Sequence, residues 1–192
     1  MLDKIKVLRE ETGVSITECQ KALKEANGSM EKAKEILRKW GEKVAMKKSE
    51  RTTEQGIITS YIHTNKKVGV LLDLRSETDF VAKSEEFQSL AHDICMQIAA
   101  MNPTYIDPKD VPQDIVDKEK EIYLDQLKKD KKPKEVIEKI IEGKLEKFFE
   151  EVCLNEQSFI KVQDKKIKDI VKEKIAKIGE NIVIKRFVRF QI

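Results

Sequence analysis

The chain has 192 residues, 40% of them hydrophobic and 38% charged, with 38 Lys and Arg against 35 Asp and Glu for a net charge of +3. That apolar share supports a packed core and excludes global disorder, and the length suits one good-sized domain or a small module beside a larger one. Near-cancellation of charge argues against a dedicated nucleic-acid binder, which carries a one-signed basic stripe, and no apolar run approaches the ~20 residues of a membrane span.

Residues 2–40 read as three short amphipathic helices. The first puts Leu2, Ile5 and Leu8 on one face and stops at Gly13, a residue suited to a left-handed cap. Ser15-Ile16-Thr17-Glu18 fits the capping-box pattern and opens the second, whose apolar face is Ile16, Cys19, Ala22, Leu23 and Ala26. Ser29 caps a third that carries Met30, Ala33, Ile36, Leu37 and Trp40, with Gly41 following. Helices this short are marginal alone and form as a compact bundle. Residues 42–55 lose apolar periodicity and read as a helical tail running into a linker.

From Gly56 the period becomes that of strands. Residues 57–63 and 68–74 flank Thr64-Asn65-Lys66-Lys67, a hairpin turn. A helix from Ser84 to about Met101 follows, ended by Asn102-Pro103, and Thr104-Tyr105-Ile106 suggests a short extended piece. Pro112 and Pro133 each open a polar helix in the favourable first-turn position, so residues about 112–152 form a projecting helical hairpin. Its second helix has a wide apolar face, Val136 to Phe149, expected to pack on the core. Asp164 is expected to cap a helix closed by Gly179, and the chain finishes in a strand whose Ile182, Ile184, Val188, Phe190 and Ile192 share a face. The fold class is α+β: a three-helix bundle over 1–41, a linker over 42–55, and over 56–192 a small antiparallel sheet packed with helices. A three-stranded sheet leaves two raw edges, which invite strand-to-strand or face-to-face dimerisation.

Cys19, Cys95 and Cys153 lie far apart in helical apolar patterns, with no CxxC, and read as buried free thiols. Structured sequence begins at once, with no Arg/Ser-rich or hydrophobic leader, which suits a soluble cytoplasmic protein. Neither a Gly-rich phosphate loop, nor a nucleophile elbow, nor a metal-ligand spacing is visible, so neither a cofactor nor an enzymatic activity is expected. Of the two histidines, His63 sits at the hairpin end and His92 reads as part of a solvated helix face.

The run Arg75-Ser76-Glu77-Thr78-Asp79-Phe80-Val81-Ala82 stands apart, because it places a carboxylate and a large aromatic ring on a short connection between two rigid elements. An exposed ring forgoes roughly 1.5–3 kcal/mol of burial, so either Phe80 tucks back under its own helix or it is kept for a pocket on another molecule.

The N-terminal stretch from Leu8 to Ser29, with Thr12-Gly13-Val14 and Cys19-Gln20-Lys21-Ala22-Leu23, resembles the signature that opens elongation factor Ts. Glu77-Thr78-Asp79-Phe80-Val81-Ala82 with Phe87 resembles that family's other hallmark. Tyr61-Ile62-His63, Val68-Gly69-Val70-Leu71 and Ile178-Gly-Glu-Asn-Ile-Val-Ile-Lys-Arg186 also fit, so the resemblance spans essentially the whole chain in order. It implies a guanine-nucleotide exchange factor for elongation factor Tu, with a bundle like a ubiquitin-associated domain followed by an α+β core. By position it implies that Asp79 and Phe80 intrude near the partner's magnesium and nucleotide, with Thr78 and Val81 shaping the loop. Arg9, Val14 and Ile16 would belong to the bundle's docking edge, and His63 would face another domain of the partner. Whether Asp79 acts by hydrogen bonding or by charge stays open.

This chain departs from the family pattern in having Ser15 where a glycine is usual and Ile16-Thr17 where an apolar pair is usual, which puts docking contacts there in doubt. Longer members carry two related core halves, whereas this chain has room for one; the resemblance therefore implies a homodimer. Two other readings remain at this level. One is a protein-binding module of another sort, since such bundles bind ubiquitin-like partners. The other is an RNA-associated protein, prompted by Lys128-Lys129-Asp130-Lys131-Lys132-Pro133-Lys134 and by Lys185, Arg186 and Arg189.

Overall fold

A computed structural model describes residues 2–127 and 133–192. The chain packs as two compact units, one of Met1–Thr59, Leu72–Asp93 and Asp169–Phe187, the other of Ser60–Leu71, Ile94–Lys168 and Val188–Ile192.

The first unit begins with α1 (Leu2–Thr12), α2 (Ile16–Glu25) and α3 (Met30–Lys48). Local chemistry sets their ends. Gly13 takes φ +67° and returns its N–H to the Arg9 carbonyl at 2.7 Å. The Ser15 hydroxyl accepts from the Glu18 N–H at 3.3 Å, while the Glu18 carboxylate pairs with Lys21. Asn27 and Gly28 both adopt positive φ and close α2, and Ser29 caps α3. Leu8, Cys19, Leu23, Ala33 and Leu37 are buried together at the centre of the bundle.

In segment 42–55, expected as a helical tail running into a linker, α3 continues as far as Lys48, and Ala45 is only 5% exposed. Gly41 does not stop the helix. It lets α3 approach α8 (Ile167–Ile178), because a Cβ at Gly41 would stand 3.3 Å from the Ala176 Cβ. Beyond it, the Lys48 ammonium donates to the Gly179 carbonyl.

β1 (Gln55–Ile62), β2 (Val68–Ser76) and β5 (Ile182–Gln191) make a three-stranded sheet in the order β1-β2-β5. The 64–67 turn is held by Lys66 at φ +58° and by the Asn65 carboxamide oxygen, which accepts from the Lys67 N–H at 2.9 Å. Ile192 N–H donates to the Lys67 carbonyl, which runs β5 antiparallel to β2. In the first unit Leu72 and Leu74 of β2, Ile182 and Ile184 of β5, and Phe87 and Leu90 of α5 (Glu85–Met101) are all buried. The shared face expected for the last strand is thus buried at Ile182 and Ile184 but exposed at Val188, Phe190 and Ile192.

In the second unit, α6 (Gln113–Leu127) and α7 (Lys134–Val152) form the expected helical pair. The apolar face of α7 packs largely against α6: Ile141 and Leu145 join Val116 and Leu127 in a cluster of their own, flanked by Ile137, Phe148 and Phe149. Of residues 104–106 only Tyr105 pairs, in an isolated parallel bridge to Cys153 with a bend on either side. Asp164 does not cap a helix. It lies in β4 (Val162–Lys166), which pairs with β3 (Ser158–Phe159) and holds the chain extended until α8 begins at Ile167. The fully buried Gln97 fastens α5 to this hairpin, donating to the Ser158 carbonyl and accepting from the Ile160 N–H. The lysine cluster 128–132 lies outside the described residues.

All three cysteines are free and buried, and burial pushes the Cys95 and Cys153 thiols up to about 12, so they stay protonated and inert. No helix among the described residues is long and apolar enough to cross a membrane.

Candidate partner-binding site

Where the sequence suggested a loop, residues Asp79–Ala82 form a single helical turn, α4. Thr78 is its N-cap: an extended residue (φ −122°, ψ 158°) whose hydroxyl accepts from the Val81 N–H at 3.4 Å. Lys83 N–H closes the turn onto the Asp79 carbonyl at 3.1 Å, and the Ser84 hydroxyl donates to the Val81 carbonyl at 2.8 Å. Ser84 then accepts from the Phe87 N–H at 3.3 Å and starts α5, as its position at the helix entry led one to expect.

On this turn the Phe80 ring is 82% exposed. It does not fold back under α5, whose first-turn core position is filled by the fully buried Phe87. Ala82 is buried and Val81 half-buried, so one side of the turn is anchored while the ring projects from the other. Asp79 is half-exposed and paired with Lys83 one turn on at 2.8 Å. The hydrogen bond and charge of Lys83 hold the Asp79 carboxyl below the usual carboxylate range.

The base of the turn is held from far along the chain. The Glu180 carboxylate accepts from the Thr78 N–H at 3.0 Å and from the Thr78 hydroxyl at 2.7 Å. In the reverse direction, the Glu77 carboxylate accepts from the Asn181 N–H at 2.6 Å and from Arg51 at 3.4 Å. The Asn181 carboxamide donates to the Arg51 carbonyl at 2.9 Å, and the Ser76 hydroxyl to that of Thr78 at 2.9 Å. Two adjacent pairs, Glu77-Thr78 and Glu180-Asn181, thus clasp one another, the carboxylate of each pair accepting from the backbone N–H of the other. Sequence reasoning did not single out Glu180 as part of the site. Its signals were an acidic residue beside Gly179 at the junction of helix and strand and its place in the 178–186 stretch that carries the resemblance.

The other expected site residues divide. In the bundle, Arg9 and Ile16 are exposed, Ile16 as the first residue of α2. Val14 is 8% exposed and belongs to the bundle core, so its side chain shapes the α1–α2 turn rather than offering a docking surface. In the second unit, His63 is exposed at the mouth of the hairpin, where its Nδ1 lies 3.0 Å from the Tyr61 hydroxyl. Among the described residues, no group of three or more His, Cys, Asp or Glu side chains is placed to hold a metal ion.

Within the second unit, Arg189 turns to the helix-covered side of the sheet, donating through Nε and Nη2 to the Ala99 carbonyl at 3.2 and 3.1 Å. By strand alternation Val188 and Phe190 point the other way, where Ile62, Leu71 and Ile192 are also exposed. In the first unit, Arg186 pairs with the buried Asp73, which Arg75 also holds.

Comparison with known proteins agrees along the whole chain. A family model described as "Elongation factor TS" matches residues 4–192. A protein named Elongation factor Ts from Thermodesulfovibrio yellowstonii is 58% identical over 188 residues, covering 98% of this chain and 94% of that one. Proteins of the same name from Thermosipho melanesiensis and Thermotoga maritima are 57% and 55% identical, covering 98% and 100% of this chain and 96% and 95% of theirs.

Proposed function

This chain belongs to the elongation factor Ts family, and from that premise we propose that it exchanges guanine nucleotide on elongation factor Tu by inserting the α4 turn near the partner's magnesium and nucleotide. Phe80 carries the proposal, being a large apolar ring 82% exposed on a turn whose backbone is tied down at both ends. The factor makes no bond and breaks none. It has to bind the nucleotide-free partner better than the loaded one, and linkage then requires GDP to weaken the factor by the same ratio that the factor weakens GDP. Driving Phe80 between elements of the partner displaces the cradle around Mg²⁺ and phosphate, and the ring's desolvation favours that displaced state. Asp79 arrives already paired with Lys83, which mutes its charge toward phosphate, so its part is a hydrogen bond to displaced backbone and the ring does most of the wedging.

Arg9 and Ile16 are the exposed docking contacts of the bundle, and His63 meets another domain of the partner. The exposed apolar side of the sheet at Ile62, Leu71, Val188, Phe190 and Ile192 supports a homodimer that supplies the second core half. The RNA reading loses support at Arg189, one of the residues that prompted it, which donates to the Ala99 carbonyl. Action in the cytoplasm, without membrane, cofactor or nucleic acid, follows from the same reading. The direct test mixes the purified chain with elongation factor Tu carrying a fluorescent GDP analogue and excess unlabelled GDP. Release should accelerate in proportion to added chain; release at the spontaneous rate would dispose of the proposal.

A further inference from the structure

We propose that Glu180 is a positioning residue for exchange, setting the attitude at which the α4 turn presents Phe80; this rests on the wedge reading above. The residue contributes nothing to the exposed surface of the turn itself. It comes from the junction between α8 and β5, and its two carboxylate oxygens are spent on the two donors of a single residue, Thr78. The consequence is more than an added contact. The Thr78 hydroxyl has one hydrogen, and donating it to Glu180 leaves the lone pairs facing the Val81 N–H, which is the bond that caps the turn. The Thr78 backbone N–H has no acceptor within so short a helix, and Glu180 supplies one. A carboxylate therefore fixes the rotamer of the cap, and the cap fixes where the Cα of Phe80 points.

Glu77 makes the reciprocal bond to the N–H of Asn181, so the two junctions cannot slide independently. A ring that projects from a loose loop pays an ordering cost when it docks, whereas one held by this clasp arrives already oriented. Arg51 and Asn181 brace Glu77 in turn, which places the support for the ring in the connection between α8 and β5 and in the segment after α3 together.

The test is a cycle of Glu180→Ala, Phe80→Ala and the double variant, each read by the stimulated rate of labelled-GDP release from elongation factor Tu. Glu180→Ala should slow stimulated release about tenfold, as small misplacements of a working group do. The double variant should be no slower than Phe80→Ala alone, because Glu180 acts only through the ring. Glu180→Gln keeps an oxygen for the Thr78 N–H and should recover part of the rate. Should Glu180→Ala fail to fold, the same cycle run with Glu180→Gln carries the test, with a smaller loss that again vanishes on the Phe80→Ala background. A merely structural role would instead give losses that multiply in the double variant, and that result, or a wild-type rate in the single Glu180 variant, overturns the proposal. If Phe80→Ala itself exchanges normally, the wedge reading fails; if Phe80→Ala is slow and Glu180→Ala is not, only this inference does.

Discussion

Truncating Phe80 to alanine isolates what the ring contributes, because so little of it touches its own chain. At 82% exposed, the side chain supports few contacts in the folded protein, and its removal should move stability by less than about 0.5 kcal/mol. Its value appears only on a partner. A phenylalanine buries roughly 150–250 Å² in a packed site, and four-fifths of that is still available here, about 120–200 Å². At about 25 cal/mol/Å² this is about 3–5 kcal/mol, from which ordering the side chain subtracts about 0.5–1.5 kcal/mol. A remainder of about 1.5–4.5 kcal/mol corresponds to a loss of roughly ten- to two-thousand-fold in preference for the nucleotide-free partner. Stopped-flow fluorescence of a labelled GDP on elongation factor Tu, titrated with wild-type and variant chain, reads this directly, and Phe80→Leu should retain a good part of the rate. Matching urea midpoints establish that the variant is folded. Equal stimulated release by wild type and Phe80→Ala would refute the reasoning, whatever else the loop does.

Three further outcomes can be measured. Gly56→Ala should lower stability by about 3 kcal/mol or more, because the residue sits at φ +148° and a Cβ there would stand 2.2 Å from the Leu74 carbonyl oxygen; a midpoint within error of wild type would contradict this. The hydrogen bond from Arg75 holds the Asp73 carboxyl below its ordinary range, with Arg186 adding to the effect. A depressed carboxylate stabilises above its unfolded value, near 3.9, and loses that as pH falls through the folded one, so Asp73→Asn should be less stable at pH 7 with the gap closing below about pH 4; urea midpoints at pH 7 and pH 3 with an unchanged gap would count against it. Phe190→Glu, with Phe190 69% exposed, should turn a dimer into a monomer by light scattering, and a monomeric wild type would remove the homodimer altogether.

What could be read along the chain was what neighbouring residues decide between themselves. Ser15, Ser29 and Ser84 accept from N–H groups three residues on, Gly13 turns left-handed, and Asn65 holds its own hairpin, all within a few bonds of one another. The reason for Gly41 lies with Ala176 and could not be read locally: a glycine that stops a helix and one that admits a second helix look identical in sequence. Asp164 has the composition of a cap, but pairing of β3 with β4 kept its backbone extended. Val14, assigned to a docking edge only by the family resemblance, is buried in the bundle core. The exposure of Phe80 was undecidable until Phe87 was seen to fill the space beneath α5. Glu180 reaches Thr78 across 102 residues, beyond the range of any local pattern.

The seating of Gly41 against Ala176 has a bearing on how the protein is made. The first half of α3 finds its partners in α1 and α2 as soon as they leave the ribosome, but the second half has its counterpart in α8, which is synthesised much later. A nascent chain therefore carries the second half of α3 without the Ala176 face that Gly41 admits until α8 emerges. The last helix to be translated completes the packing of one of the first.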